Sequence, residues 1–465
     1  MTVLHWFRRD LRLTDNRALA AALTDAKQTG ETLIPVFVLD SALLDANRAG
    51  GTPRAAFMRN ALISLDTTLR ARGSHLVMQA GDPAQIIPHI VAESGARVVY
   101  ANRDYSPYAR HRDAAVQAAL GNRFHLLDDA LLIAPEQIAT QNDTPYTVYT
   151  PFKKTWWDIP KAAPDEQPYA FSPLPEIASD SIPDASDPRF ATTLDLPEAS
   201  ETAAQQTLAD FIAGPIFNYG VHRDQLAVAG TSRLSPYLRF GLLSIRVAYA
   251  AAQQALKAAP DDATRQSVAT WISELAWREF YTHIMFHFPH VMHGNFRREY
   301  DDLQWHDDPA ALNAWKMGQT GYPVVDAGMR QLWQTGWMHN RARMITTSFL
   351  TKDLLIDWRA GERHFMQHLI DGDPAANNGG WQWSAGTGTD AQPYFRIFNP
   401  VTQSKKFDPD GTYIRRWVTE LRNVPTRFIH TPWQMDAPPA AYPPPIVNHA
   451  AARERTLAAF KIIKD

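Results

Sequence analysis

At 465 residues the chain is too long for one ordinary core and points to two domains joined by a connector. Hydrophobic residues at 45% and charged residues at 20% suit a globular protein; no apolar run reaches membrane-spanning length and MTVLHWFRRDLRL carries charge too early for a signal peptide, so no membrane contact and a cytoplasmic location are expected. Zero cysteines exclude disulfides, thiolate catalysis, iron–sulfur clusters and cysteine-held zinc, while a net charge of −3 argues against a uniformly basic protein yet leaves room for one basic face.

The first 130 residues alternate short β-branched or aromatic runs, Val3–Phe7, Leu33–Leu39, His75–Met78 and Arg97–Ala101, with longer amphipathic segments, Asn16–Thr29, Pro53–Arg72, Pro83–Glu93 and Pro107–Leu120. This is a βαβ series, and the economical packing is a doubly wound parallel sheet with helices on both faces, an α/β domain over residues 1–130. No GxGxxG follows the first strand, and Gly386-Thr387-Gly388 lacks the third glycine, so a nicotinamide fingerprint is not supported.

From Trp157 to Ser200 the texture turns to Pro, Asp, Ala and Ser, with prolines at 160, 164, 168, 173, 175, 183, 188 and 197. Prolines at that spacing deny continuous helix, so residues 131–200 are expected to connect the domains, largely extended. Residues 201–465 then show apolar positions three and four apart in Ala203–Ile212, Ile245–Ala258, Ser267–Phe288, Pro323–Thr335 and Arg341–Leu355, which predicts an all-α second domain.

Within that domain DGDPAANNGGWQW, Asp371 to Trp383, gathers carboxylates, adjacent amides, glycines and two indoles without a Cys, Ser, His or Lys nucleophile. Directed hydrogen bonds beside flat apolar walls suit a large planar cofactor; the plainer alternative is a tight turn between helices. Thirteen of the fourteen tryptophans follow residue 150. Trp305, Trp358 and Trp381 come from three separate segments, and indoles can carry an oxidising equivalent as well as fill a core.

WFRRDLRLTDN near the start, Gly230-Thr231-Ser232-Arg233-Leu234-Ser235, Trp271 to Tyr281, Gly336 to Met344 and the Asp371 stretch together resemble, in order and along nearly the whole chain, the DNA photolyase and cryptochrome family, most closely its class I cyclobutane pyrimidine dimer photolyases. The resemblance implies an antenna domain followed by a helical domain, residues 201–465, that holds FAD, reduced and anionic in its active form. It assigns cofactor contacts to Tyr219, Thr231, Ser232, Arg233, Leu234, Ser235, Trp271, Arg278, Asn340, Arg343, Asp371, Gly372, Asp373 and Asn377. Arg343 and Asp371 are the expected ion pair and Asn377 the amide opposite the reactive flavin nitrogen; a helix cap is the plainer role for Asn377.

The same resemblance assigns DNA contacts to Arg223, Glu274, Trp277, Arg341, Trp383 and Gln403, with Lys405 and Lys406 as further phosphate candidates, and catalytic roles to Glu274, Asn340 and Met344. Glu274 and Trp277 stand three apart, so one helix face offers an acid and a flat surface to a flipped-out dimer. Trp381, Trp358 and Trp305, in that order outward, are the implied chain that reduces the flavin under light. The implied activity is that of a deoxyribodipyrimidine photo-lyase, splitting dimers by an electron from excited reduced FAD, with DNA as partner and a monomer as the expected state.

A (6-4) photolyase is expected to place histidines where Asn340 and Met344 stand, because it needs an acid. A light-sensing cryptochrome is the other alternative within the family. Outside it, His283 and His287 at i, i+4 lack the glutamate of a zinc hydrolase motif. For the antenna cofactor, Asn102-Arg103-Asp104 with Pro107-Tyr108 resembles relatives that bind a deazaflavin or a second flavin rather than folate, with Arg54 and Asp104 as contacts and capping of the next helix as the plainer role of Asp104.

Overall fold

The computed structural model describes residues 2–44, 52–165 and 169–463, so Pro168 lies outside the described residues. The chain divides into two compact units, neither contiguous in sequence: Met1–Tyr146, Thr150–Phe217 and Ser232–His287 form the first, and Thr147–Tyr149, Asn218–Thr231 and Phe288–Asp465 the second.

The first unit is built on a five-stranded sheet, β1 Thr2–Phe7, β2 Thr32–Asp40, β3 Val77–Gly81, β4 Ala96–Asn102 and β5 Phe124–Leu127, ordered β3-β2-β1-β4-β5. All four pairings are parallel. Helices Arg17–Thr29, Pro53–Ala71, Pro83–Ser94 and Pro107–Leu120 make the crossovers, so the α/β expectation holds. β1 is buried at every position, as a central parallel strand covered on both faces must be. Three of the helices open alike, with Thr52, Asp82 or Ser106 capping and proline next, where the missing N–H costs nothing.

The third strand lies two residues later than its composition suggested, because its pairing with β2 runs from Val77 to Gly81. β5 escaped the sequence reading: at four residues with one buried position it is an edge strand with little pattern to show. Residues 159–165 and 169–200 hold neither helix nor strand, but helix Tyr149–Asp158 precedes them, with Phe152 and Trp156 buried.

The second unit is helical, with its core on Trp315, Phe349, Trp358, Phe365, Trp381 and Tyr413. The predicted Arg341–Leu355 helix is two pieces, Asn340–Ser348 and a wider π-type turn Phe349–Asp353. The change falls where Lys352 and Asp353 turn inward, Lys352 Nζ donating to Ala385 O at 2.6 Å and Asp353 meeting His449 at 2.5 Å. Among the described residues, no helix is long and apolar enough to cross a membrane.

Candidate functional site

In the second unit the Asp371 stretch is the start of a helix, Pro374–Ala385, and not a tight turn. Asp373 caps it, Oδ1 accepting from Ala375 N at 3.0 Å and Ala376 N at 3.2 Å. Asn377 is therefore interior to the helix and its side chain is released from capping. Its Nδ2 donates to Glu362 O at 3.1 Å. A backbone carbonyl only accepts, so this bond fixes the amide's orientation and leaves Oδ1 as its acceptor.

Helix Asn340–Ser348 lies beside it, tied by Thr347 Oγ1 donating to Ser384 Oγ at 2.8 Å. Asn340, Arg343 and Met344 are thus brought next to the helix that carries Asn377, Trp381 and Trp383. Arg343 Nη2 meets both oxygens of Asp371 at 3.1 and 2.9 Å, the expected ion pair, with the arginine partly exposed and the carboxylate buried. Tyr219 is buried, with the Arg223 guanidinium 5.4 Å from its ring. Gly230, which leads the Thr231 turn, has no room for a side chain: a Cβ there would lie 2.4 Å from His222 Cβ.

Trp381 and Trp358 are fully buried in one core, and Trp305 packs against it half-buried. Gly361, three residues after Trp358 on helix Trp358–His368, admits the Trp381 ring; a Cβ there would stand 2.0 Å from Trp381 Cη2. Trp358 Nε1 donates to Asn295 Oδ1 at 2.9 Å, whereas Trp381 Nε1 is buried without a partner among the described residues.

Two residues here went unread in sequence. Trp315 stands edge-on to Trp381 at 5.9 Å, and nothing in sequence distinguishes it from a core indole. Glu362 accepts from Asn378 Nδ2 at 3.0 Å through Oε1 while its backbone holds Asn377. Burial pushes its carboxyl up to about 7, against the smaller opposing pull of that hydrogen bond. Its signal was faint: four residues after Trp358, it continues one helix face.

Arg341 is not open to solvent. Nε and Nη2 both bond Asp224 Oδ1, at 3.2 and 2.7 Å, and the guanidinium lies 4.3 Å from the Phe407 ring. Phe407 ends helix Pro400–Phe407, which also carries Gln403 and the exposed Lys405 and Lys406.

In the first unit Glu274, Trp277 and Arg278 are partly exposed on helix Asp262–His287. Trp277 packs on Phe280 and Tyr281 at 5.7 and 5.5 Å, and Arg278 Nη1 donates to Ala130 O at 2.9 Å. Trp271 is buried against Phe211 at 5.5 Å. Ser232 and the buried Leu234 precede helix Ser235–Phe240, and Arg233 holds a left-handed backbone with φ 53. His283 is a buried ring against Phe152 at 5.3 Å.

The strand order reverses between β1 and β4, and ligands of open parallel sheets gather outside the carboxyl ends of the strands at such a point. Asp104 follows β4 there, 3.4 Å from Arg9 Nη1, which follows β1. Burial would raise its carboxyl, but Arg9, Arg112, Arg239 and Arg8 together hold it below its ordinary value. Ser106, not Asp104, caps the next helix. Arg54 is buried on the first turn of helix Pro53–Ala71, which connects β2 to β3.

A family model described as DNA photolyase matches residues 3–170, and one described as FAD binding domain of DNA photolyase matches residues 271–462. The deoxyribodipyrimidine photo-lyase of Synechococcus sp. is 44% identical over 475 residues, covering 99% of this chain and 97% of that protein. Among solved structures, a bacterial class III photolyase from Agrobacterium tumefaciens is 38% identical with a TM-score of 0.91, covering 100% of this chain and 98% of that one. An archaeal photolyase from Sulfolobus tokodaii, with two FAD molecules and a proposed novel light-harvesting cofactor, is 33% identical with a TM-score of 0.86, covering 99% and 100%.

Proposed function

The chain belongs to the DNA photolyase family, and from that membership we propose that it is a deoxyribodipyrimidine photo-lyase that splits cyclobutane pyrimidine dimers in DNA under light. The observation that carries this reading is the Thr347–Ser384 tie, which sets Asn340 and Met344 on one helix beside Asn377 and Trp383 on the next. An amide and a thioether at the first pair supply no acid, which favours a reaction that needs none and disfavours (6-4) repair.

The residues fit FAD on their hydrogen-bonding chemistry: a paired Arg343, the amide oxygen of Asn377 and a Trp381 Nε1 without a partner among the described residues. Tyr219, Thr231, Asn340, Arg343, Asp371, Gly372, Asp373 and Asn377 would hold it, and Ser232 to Ser235, Trp271 and Arg278 are assigned to the same cofactor by the family motif. When bound, reduced FAD supplies light absorption and the single electron that opens the cyclobutane ring and is then returned. The chain's own share is to orient and to exclude water. Asn377 presents a neutral acceptor, which leaves a reduced, negatively charged ring uncontested. Glu274 bonds the imide edge of a flipped-out dimer and steadies the charge arriving there, while Trp277 and Trp383 offer flat surfaces to its bases. Trp381, Trp358 and Trp305 pass an oxidising equivalent outward.

The class I placement rests on the motif residues. For the antenna cofactor a flavin or deazaflavin is proposed at Arg54 and Asp104, which the second FAD of the Sulfolobus relative supports. Residues 1–130, 131–200 and 201–465 are proposed as antenna domain, connector and catalytic domain, in a cytoplasmic monomer. The test is loss of dimer absorbance under blue light with chemically reduced protein. Glu274→Ala lowers the repair yield about tenfold, as loss of a hydrogen bond to a charged group predicts, with FAD still bound. An unchanged yield removes Glu274 from the reaction.

A further inference from the structure

Three segments of the second unit, residues 218–231 and helices Asn340–Ser348 and Pro400–Phe407, carry Arg223, Arg341, Arg343, Lys405 and Lys406, and Asp224 is their only carboxylate. They are joined by backbone as well as by charge, Leu226 N donating to Phe407 O at 3.0 Å. Asp224 Oδ1 takes two bonds from Arg341, at 2.7 and 3.2 Å, and stands 3.9 Å from Arg223 Nε. The Arg341 side chain is only 16% exposed, pressed on the Phe407 ring, while the Asp224 side chain is 37% exposed. The fixed partner is the arginine and the more accessible one is the acid.

A carboxylate and a phosphate diester offer a guanidinium fork the same pair of anionic oxygens, so either can occupy that place. We propose that Asp224 is an internal competitor for DNA backbone phosphate: it occupies Arg341 in the free protein and yields it to a phosphate on binding, so part of each contact's favourable energy is spent on displacing it. The inference rests on the DNA-repair reading above. Its consequence is lower affinity for every duplex, damaged or not, in equal proportion, and hence shorter residence on undamaged DNA during search. Specificity for the lesion is left to groups that touch the bases.

The experiment uses FAD-loaded protein, with anisotropy of labelled undamaged and dimer-containing duplexes over a salt series. Asp224→Asn tightens both by the same factor, about three- to tenfold at low salt, and steepens the salt dependence by about one charge. Arg341→Gln then costs more affinity in the Asp224→Asn background than in the parent, a coupling that a merely structural Asp224 does not produce. If Asp224→Asn retains its yellow chromophore and melting temperature yet binds no tighter, or more weakly, Asp224 orients Arg341 and the proposal is wrong. If the parent shows no preference for dimer DNA, the repair reading fails by itself. Later elution of Asp224→Asn from heparin then still upholds the competitor, and unchanged elution removes it.

Discussion

The first unit buries one matched set of charges, while the second, beside pairs such as Arg343 with Asp371, buries two charges singly. Arg12 and Arg246 both meet Asp129 at 2.6 Å, and Arg246 also meets Asp15 at 3.0 Å, with each side chain at 3% exposure or less. Burial raises the Asp129 carboxyl, but Arg12 and Arg246 outweigh it and hold it below its ordinary value. The set acts as a fixed brace between the loops after β1 and β5 and helix Ile245–Ala258. Lys352 and Glu362 of the second unit have no ion pair among the described residues. Burial brings each to about 7, from opposite sides. Matched charges specify geometry; solitary ones leave protonation poised.

The sharpest break of this comparison is Trp305→Phe. It removes the outermost indole of the proposed chain, so light-driven reduction of the flavin is abolished, while repair by chemically reduced protein continues at the parent's yield. Absorption changes during blue illumination measure the first, and dimer absorbance the second. Reduction at the parent's rate would assign the route to other indoles, Trp315 being one that stands 5.9 Å from Trp381.

Next is Arg246→Met in the first unit. Removing one cation of a buried set leaves Asp15 and Asp129 short of partners, a change that costs about 3–5 kcal/mol where it has been isolated. Chemical denaturation of the FAD-loaded protein is expected to show a loss of that order, with the absorption spectrum of the folded protein unaltered. A loss below about 1 kcal/mol would mean that Arg12 and solvent satisfy both acids, and the brace would be no more than a surface pair.

The contrast also marks what the sequence discloses. The βαβ alternation was legible because the central strands are buried on both faces and three of the four crossover helices begin at a capping residue followed by proline, both local patterns. β5 was not, being short and half-exposed. In the second unit Arg343 and Asp371 were readable as partners only through a family motif, since 28 residues separate them and no periodicity links them. Asp224 and Glu362 were invisible for a stronger reason. Each is an ordinary acid in sequence, and its role is created by what folding places against it, Arg341 in one case and Asn377 with Asn378 in the other. A motif names the ligand-facing residues, whereas the partners that fix and compete with them belong to tertiary structure.

Glu362→Gln makes the smallest and most specific change, and it tests whether a solitary buried acid behaves as the comparison requires. The folded pKa of about 7 lies above the unfolded 4.5, so the native state binds the proton more tightly. Stability from this group is therefore complete below about pH 4.5 and is lost as pH rises through 7. At 1.36 kcal/mol per unit the ceiling is about 3 kcal/mol, and partial solvent access reduces the expected effect to about 1 kcal/mol. Glutamine cannot ionise, so the variant matches the parent at pH 4.5 and exceeds it by that amount at pH 8, read as a melting temperature that falls less between the two. Asp129 of the first unit contributes no slope over pH 5–8, since Arg12 and Arg246 hold its carboxyl below the ordinary value. A variant that tracked the parent at both pH values would show that Glu362 is hydrated in the native state, and the distinction between paired and solitary burial would then rest on Lys352 alone.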